Sequence, residues 1–150
     1  MVVVVFPLRY WICVTTEENW KIIRDKNIWG VPSRCRKIIE AVEPGDRLAI
    51  YVIQTRLGDK TIPSRIVGIF EATSKAYFDE SPIFAEYKGK KFPYRVKIRP
   101  IKIFSKPIVF KDLVEKLGFI KNKKFWTVYF RRAMFEIPRG DFETIESAGE

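Results

Sequence analysis

Phe92-Pro-Tyr-Arg-Val-Lys-Ile-Arg-Pro100 alternates apolar and cationic side chains, the period of an extended strand. Tyr94, Val96 and Ile98 fall on one face of such a strand; Arg95, Lys97 and Arg99 fall on the other. One face can enter a core while the other presents a row of cations to solvent. Such a row suits phosphates. It would equally serve solubility alone, since many solvated sheet faces carry Lys and Arg.

Working outward, Tyr10 to Val14 reads as a first strand, aromatic and β-branched. Thr15 and Glu18 have the spacing of a capping box, so a helix is expected over Glu17 to Lys26 with Trp20 and Ile23 inward. Asn27 to Pro32 reads as the turn that ends it, with Gly30 and Pro32 as breakers. Ser33 is placed to cap a second short helix over Arg34 to Val42. Pro44-Gly45-Asp46 is a turn. Arg47 to Gln54 is apolar on both faces, which predicts a central strand. Thr55 to Ser64 reads as a polar loop, and Arg65 to Thr73 as the partner strand, with Gly68 marking a bulge or close backbone approach.

Tyr77 to Lys91 is a long, aromatic-rich connection. The amphipathic strand resumes from Ile101 to Phe104 after a break at Pro100. A helix is expected over Phe110 to Leu117, a basic turn at Lys121 to Lys124, and either a helical turn or a strand over Trp126 to Arg132. Met134 to Ile137 reads as the last strand and Asp141 to Ser147 as a terminal helix. Val2 to Phe6 is read as an extended segment or ragged terminus. With no repeat or linker, these elements predict one α+β domain over residues 1–150, a short-stranded barrel-type mixed sheet flanked by helices.

Lys and Arg number 28 against 18 Asp and Glu, a formal net charge of +10, which favours polyanionic partners: nucleic acid first, an anionic membrane surface second. Residues 1–6 are apolar but too short for a signal-peptide core, and no run reaches bilayer-spanning length. A hydrophobic fraction of 47% excludes a wholly disordered basic tail. Cys13 and Cys35 are too few for a disulfide framework and lack metal-ligand spacing, which fits a reducing cytoplasm.

The chain has no histidine. That removes the commonest general base, every Ser–His or Cys–His arrangement and imidazole metal ligation. No Gly-rich phosphate loop is present, and the acid pairs Glu17-Glu18 and Asp79-Glu80 sit where solvated carboxylates are ordinary. A non-enzymatic domain without cofactor or metal is therefore expected. Trp29 stands out, beside Gly30 where the chain turns. A tryptophan there can wall a pocket for a flat ring, or it can plug the end of a barrel.

Several pieces in the same order resemble the EVE domain, a PUA-like family related to YTH domains. They are Tyr10-Trp-Ile-Cys-Val14, Glu18-Asn-Trp20, Ile28-Trp-Gly-Val-Pro32, Pro44-Gly-Asp46, Gly68-Ile-Phe-Glu71, Pro93-Tyr-Arg-Val-Lys97 and the closing Ile137-Pro…Asp141-Phe…Ile145. The resemblance spans about residues 10–147. It implies a PUA-like β-barrel-type sheet and a pocket for a modified base in RNA or DNA. It implies that Trp29 walls the pocket, that Asn19 contacts the base, and that Phe84 or Tyr87 supplies a second aromatic. The polar pair after the first strand, Ser-Asn in YTH domains, is here Thr15-Thr16.

The expectation is thus a reader in which Trp29, Gly30, Asn19, Thr15, Thr16, Phe84 and Tyr87 form a base pocket. Arg95, Lys97, Arg99, Arg34, Arg36 and Lys37 would hold phosphates. Trp29→Ala is expected to remove base discrimination and leave folding largely intact. The alternative is a module for a small aromatic ligand such as a nucleoside, with the basic strand incidental.

Overall fold

A computed structural model describes residues 7–149. The segment Val2 to Phe6 lies outside the described residues. The strands are β1 (Tyr10–Thr15), β2 (Ile28–Val31), β3 (Arg47–Val52), β4 (Thr55–Leu57), β5 (Lys60–Ile62), β6 (Arg65–Ala72), β7 (Tyr77–Phe78), β8 (Tyr94–Val109) and β9 (Met134–Ile137). The α-helices are α1 (Glu17–Lys26), α2 (Arg36–Glu40) and α3 (Arg139–Ala148). Short 3-10 helices occupy Ser33–Cys35, Phe110–Lys116 and Trp126–Arg131.

The main sheet runs β2-β8-β6-β3-β1-β9, with β7 added to β8. β1 and β3 are parallel and the other pairs antiparallel, so the sheet is mixed and curls into a half-barrel. β3 is central, as its apolar residues on both faces predict. One face packs Trp11, Leu48, Ile50 and Phe70 against Trp20 and Ile23 of α1 and Ile39 of α2. The other packs Ile12, Ala49, Ile66 and Ile69 against Leu113, Leu117, Phe142 and Ile145. Each fully buried Leu, Ile or Phe contributes about 1.5–3 kcal/mol. Asp46, itself buried, anchors the turn before β3 by accepting from the Trp11 indole N–H (3.0 Å) and from the backbone N–H of Arg9 (3.1 Å) and Glu43 (3.0 Å).

Several expectations are corrected. α1 is capped by Thr16, not Thr15: its hydroxyl accepts from the Asn19 N–H at 3.2 Å. Ile28–Val31 is a strand rather than a turn, held by pairing with Tyr94–Lys97. Non-local pairing outweighs the local breakers there, and the left-handed residue that ends α1 is Asn27. Ser33 caps nothing; a 3-10 turn leads into the short α2. The Thr55 to Ser64 loop contains the β4–β5 hairpin. Pro100 does not break β8, because the register shifts beside it and spares the ladder a donor it lacks. The Phe110 helix is 3-10, and the ambiguous Trp126 segment is helical. Gly68 does mark a close approach: a Cβ there would sit 3.0 Å from the Lys102 carbonyl oxygen, beside a register shift.

Candidate nucleic-acid interface

The end strands β2 and β9 share no backbone ladder. What joins them is a side-chain contact: the Trp29 indole N–H donates to Met134 Sδ at 3.4 Å. A cavity of about 470 Å³ opens beside this seam. Its walls come from the end of β1 (Val14, Thr15), the start of α1 (Thr16, Asn19, Ile23), β2 (Trp29, Gly30), the connection before β8 (Phe84, Tyr87, Phe92) and the segment entering β9 (Phe130, Ala133). All seven residues expected at a base pocket line this one cavity. Its volume lies within the range of about 300–1,000 Å³ usual for small-molecule sites.

The geometry alters what individual residues can do. Trp29 is only 2% exposed and belongs to the core, so it is a fixed back wall. The expectation that Trp29→Ala spares folding does not survive that burial. Asn19 is 3% exposed and its amide is engaged with the backbone of residue 85. Nδ2 donates to the Ala85 carbonyl at 3.0 Å and Oδ1 accepts the Ala85 N–H at 2.8 Å. Asn19 therefore clamps the long connection onto the start of α1. One amide hydrogen and one lone pair remain for other partners. Gly30 permits the close approach expected of it, and the approaching group is Phe84: an added Cβ would meet Phe84 Cε2 at 2.8 Å and the Phe92 carbonyl at 3.2 Å.

Arg95 departs most from its sequence reading. It is 3% exposed, not solvent-facing. Its guanidinium donates to the Phe92 carbonyl (3.0 Å), the Ser81 hydroxyl (2.9 Å) and the Ser81 carbonyl (2.6 Å), and pairs with Asp79 at 3.5 Å. It also lies 5.3 Å from the centre of the Phe84 ring. The strand alternates as predicted, but residues 79–92 fold over its first cation. The Ser81 N–H donating to Asp79 holds that carboxyl below its ordinary range, with the Arg95 charge adding to the effect. Arg95 thus fixes the loop that carries Phe84.

The other expected cations are dispersed. Arg34 lines the cavity. Arg36 pairs with Glu40 and Arg99 with Glu71, while Lys37 and Lys97 are exposed; none of these four lines the cavity. The rim is instead supplied by Lys88, Lys90, Arg131 and Arg132, which the sequence reading missed. No carboxylate is among the described lining residues. Lys88 and Lys90 sit on a tight reversal in which Lys88 (φ +52) and Gly89 (φ +74) both take left-handed backbone between bridged Tyr87 and Lys90, the pattern of a type I′ turn. That Lys-Gly pair inside a basic run was the available signal. Arg131-Arg132 gave none, because the segment fitted two periods.

A curled mixed sheet forming a half-barrel with a few short helices is a PUA-like α+β fold. The chain belongs to the EVE domain family, whose model matches residues 9–148. It is 46% identical over 142 residues to a UPF0310 protein of Pyrococcus abyssi, covering 93% of this chain and 99% of that one. Among solved structures it is similar to the Mmi1 YTH domain in complex with RNA, with a TM-score of 0.63, 16% identity, and coverage of 93% of this chain and 76% of that one. It is also similar to human THYN1 in complex with DNA containing 5-methylcytosine, with a TM-score of 0.63, 13% identity, and coverage of 93% and 96%. At these identities the structural likeness is one of fold.

Proposed function

We propose that this domain is a non-enzymatic nucleic-acid reader that takes one base, single-stranded or extruded from a duplex, into the cavity between β2 and β9. The observation that carries this reading is an aromatic-walled cavity of about 470 Å³ rimmed by cations and free of carboxylates among its described lining residues. A base would enter against the Trp29 wall and the side of Phe84 that faces the cavity, with Tyr87 at the mouth. Thr15, Thr16 and the spare valences of Asn19 would meet its polar edge. Arg34, Lys88, Lys90 and Arg131 would hold flanking phosphates, with the exposed Lys37 and Lys97 contributing longer-range attraction. The neighbours of like fold solved with RNA and with DNA containing 5-methylcytosine support nucleic acid as the ligand class, and the second of them a modified base.

The test is a titration with short RNA and DNA strands, with and without base methylation, at two salt concentrations. Preference for one modified strand that persists as salt rises supports the reading. Salt-sensitive binding indifferent to the base would reduce it to a basic surface. Equal affinity for a free nucleoside and an oligonucleotide would give the small-ligand alternative.

A further inference from the structure

A second cavity, of about 460 Å³, lies against the first. The two share Ile53 and Phe130, so a single layer of side chains divides them. Aromatic packing holds the Phe130 side of that partition. The Phe130 ring stacks on Tyr51 at 4.1 Å with 12° between planes, and meets Phe110 edge-on at 4.7 Å. Beyond it the groove is lined by half-buried Trp126 and by exposed Gln54, Thr127 and Lys111. Lys111 has no ion-pair partner among the described residues, and no carboxylate is among the described residues that line this groove. The indole, the primary amide and the unpaired ammonium match the three parts of a nucleotide: a face to stack, an edge to read and a phosphate to neutralise.

Resting on the reading above, we infer that the nucleotide next to the inserted one docks in this second groove, its base against Trp126 and its phosphate on Lys111. The ligand is then at least a dinucleotide, bent around Phe130 with one base on each side. Arg131, on the rim of the first cavity and next in the chain to Phe130, would then meet the intervening phosphate.

The experiment compares a modified nucleoside monophosphate with the dinucleotide and a hexanucleotide containing it, on wild type, Lys111→Glu and Trp126→Ala. Wild type is expected to gain between about 5- and 150-fold from mononucleotide to dinucleotide, the range that stacking on one aromatic ring supplies. Both variants should lose most of that gain and keep wild-type affinity for the mononucleotide. Trp126 also packs on Phe110 and Phe130, so Lys111→Glu, at an exposed position, guards against a folding defect. Mononucleotide binding with no gain on extension, or an undiminished gain in Lys111→Glu, overturns this inference and leaves the base pocket standing. No binding of any modified nucleotide or strand overturns both.

Discussion

The Trp29 indole N–H reaches Met134 Sδ at 3.4 Å across the seam between the two end strands, where a closed barrel would have a backbone ladder. A thioether is a weak acceptor, so the seam is held by packing more than by this bond. The half-barrel stays open beside it, and that opening is the candidate site. Trp29 thus serves the core and the cavity wall with one ring.

Trp29→Ala is therefore expected to destabilise the fold by about 3–5 kcal/mol, as large-to-small changes at buried tryptophans do. Thermal unfolding would show it as a drop of roughly 10 °C. Trp29→Phe should keep most of the packing and forfeit the bond to Met134. A Trp29→Ala protein with wild-type melting would mean that the ring is not part of the core.

Asn19→Ala should release the connection at Ala85. Two partly buried hydrogen bonds disappear and the Ala85 backbone is left without its partner, a cost of about 1–3 kcal/mol. Amide exchange at Ala85 should accelerate, and affinity should fall because Phe84 is no longer held over Gly30. Unchanged exchange at Ala85 would show that Arg95 alone fixes the loop.

Gly30→Ala places a Cβ 2.8 Å from Phe84 Cε2 and should push that ring out of position. Overpacking of this kind costs about 1–3 kcal/mol. Ligand affinity should fall by about tenfold or more while the strand pairing of β2 survives. Retained affinity with a displaced Phe84 would remove that ring from the site.

Cations divide by burial. Lys88→Glu and Arg131→Glu, at exposed rim positions, should leave melting nearly unchanged and flatten the salt dependence of binding, by about 0.7–0.9 in slope for each phosphate no longer neutralised. Arg95→Ala should do the reverse. It removes a buried guanidinium that holds Ser81 and Phe92, so melting falls and the salt slope stays. Binding curves across a salt series, paired with melting curves, separate the two classes.

Much of the fold was legible in the sequence because strand periods are local. β1, β3, β6 and β9 follow from β-branched and aromatic runs, and α1 from its periodicity, though its cap lies one residue later than the Thr15–Glu18 spacing indicated. What was illegible is non-local. Ile28–Val31 becomes a strand only because Tyr94–Lys97 lies beside it. Arg95 is buried only because a loop with no regular period folds back over it. The residues expected at a base pocket were named together by family resemblance and line one cavity, whereas the cationic rim comes from two segments that meet only in space.

The most direct measurement is the amide and indole NMR spectrum of the protein titrated with a methylated single strand and its unmethylated counterpart. The methylated strand should shift the Trp29 indole N–H together with Gly30, Ala85 and Ala133, and the unmethylated strand should shift them less. Shifts confined to Lys97 and Arg99 on the exposed face of β8, identical for both strands, would contradict it.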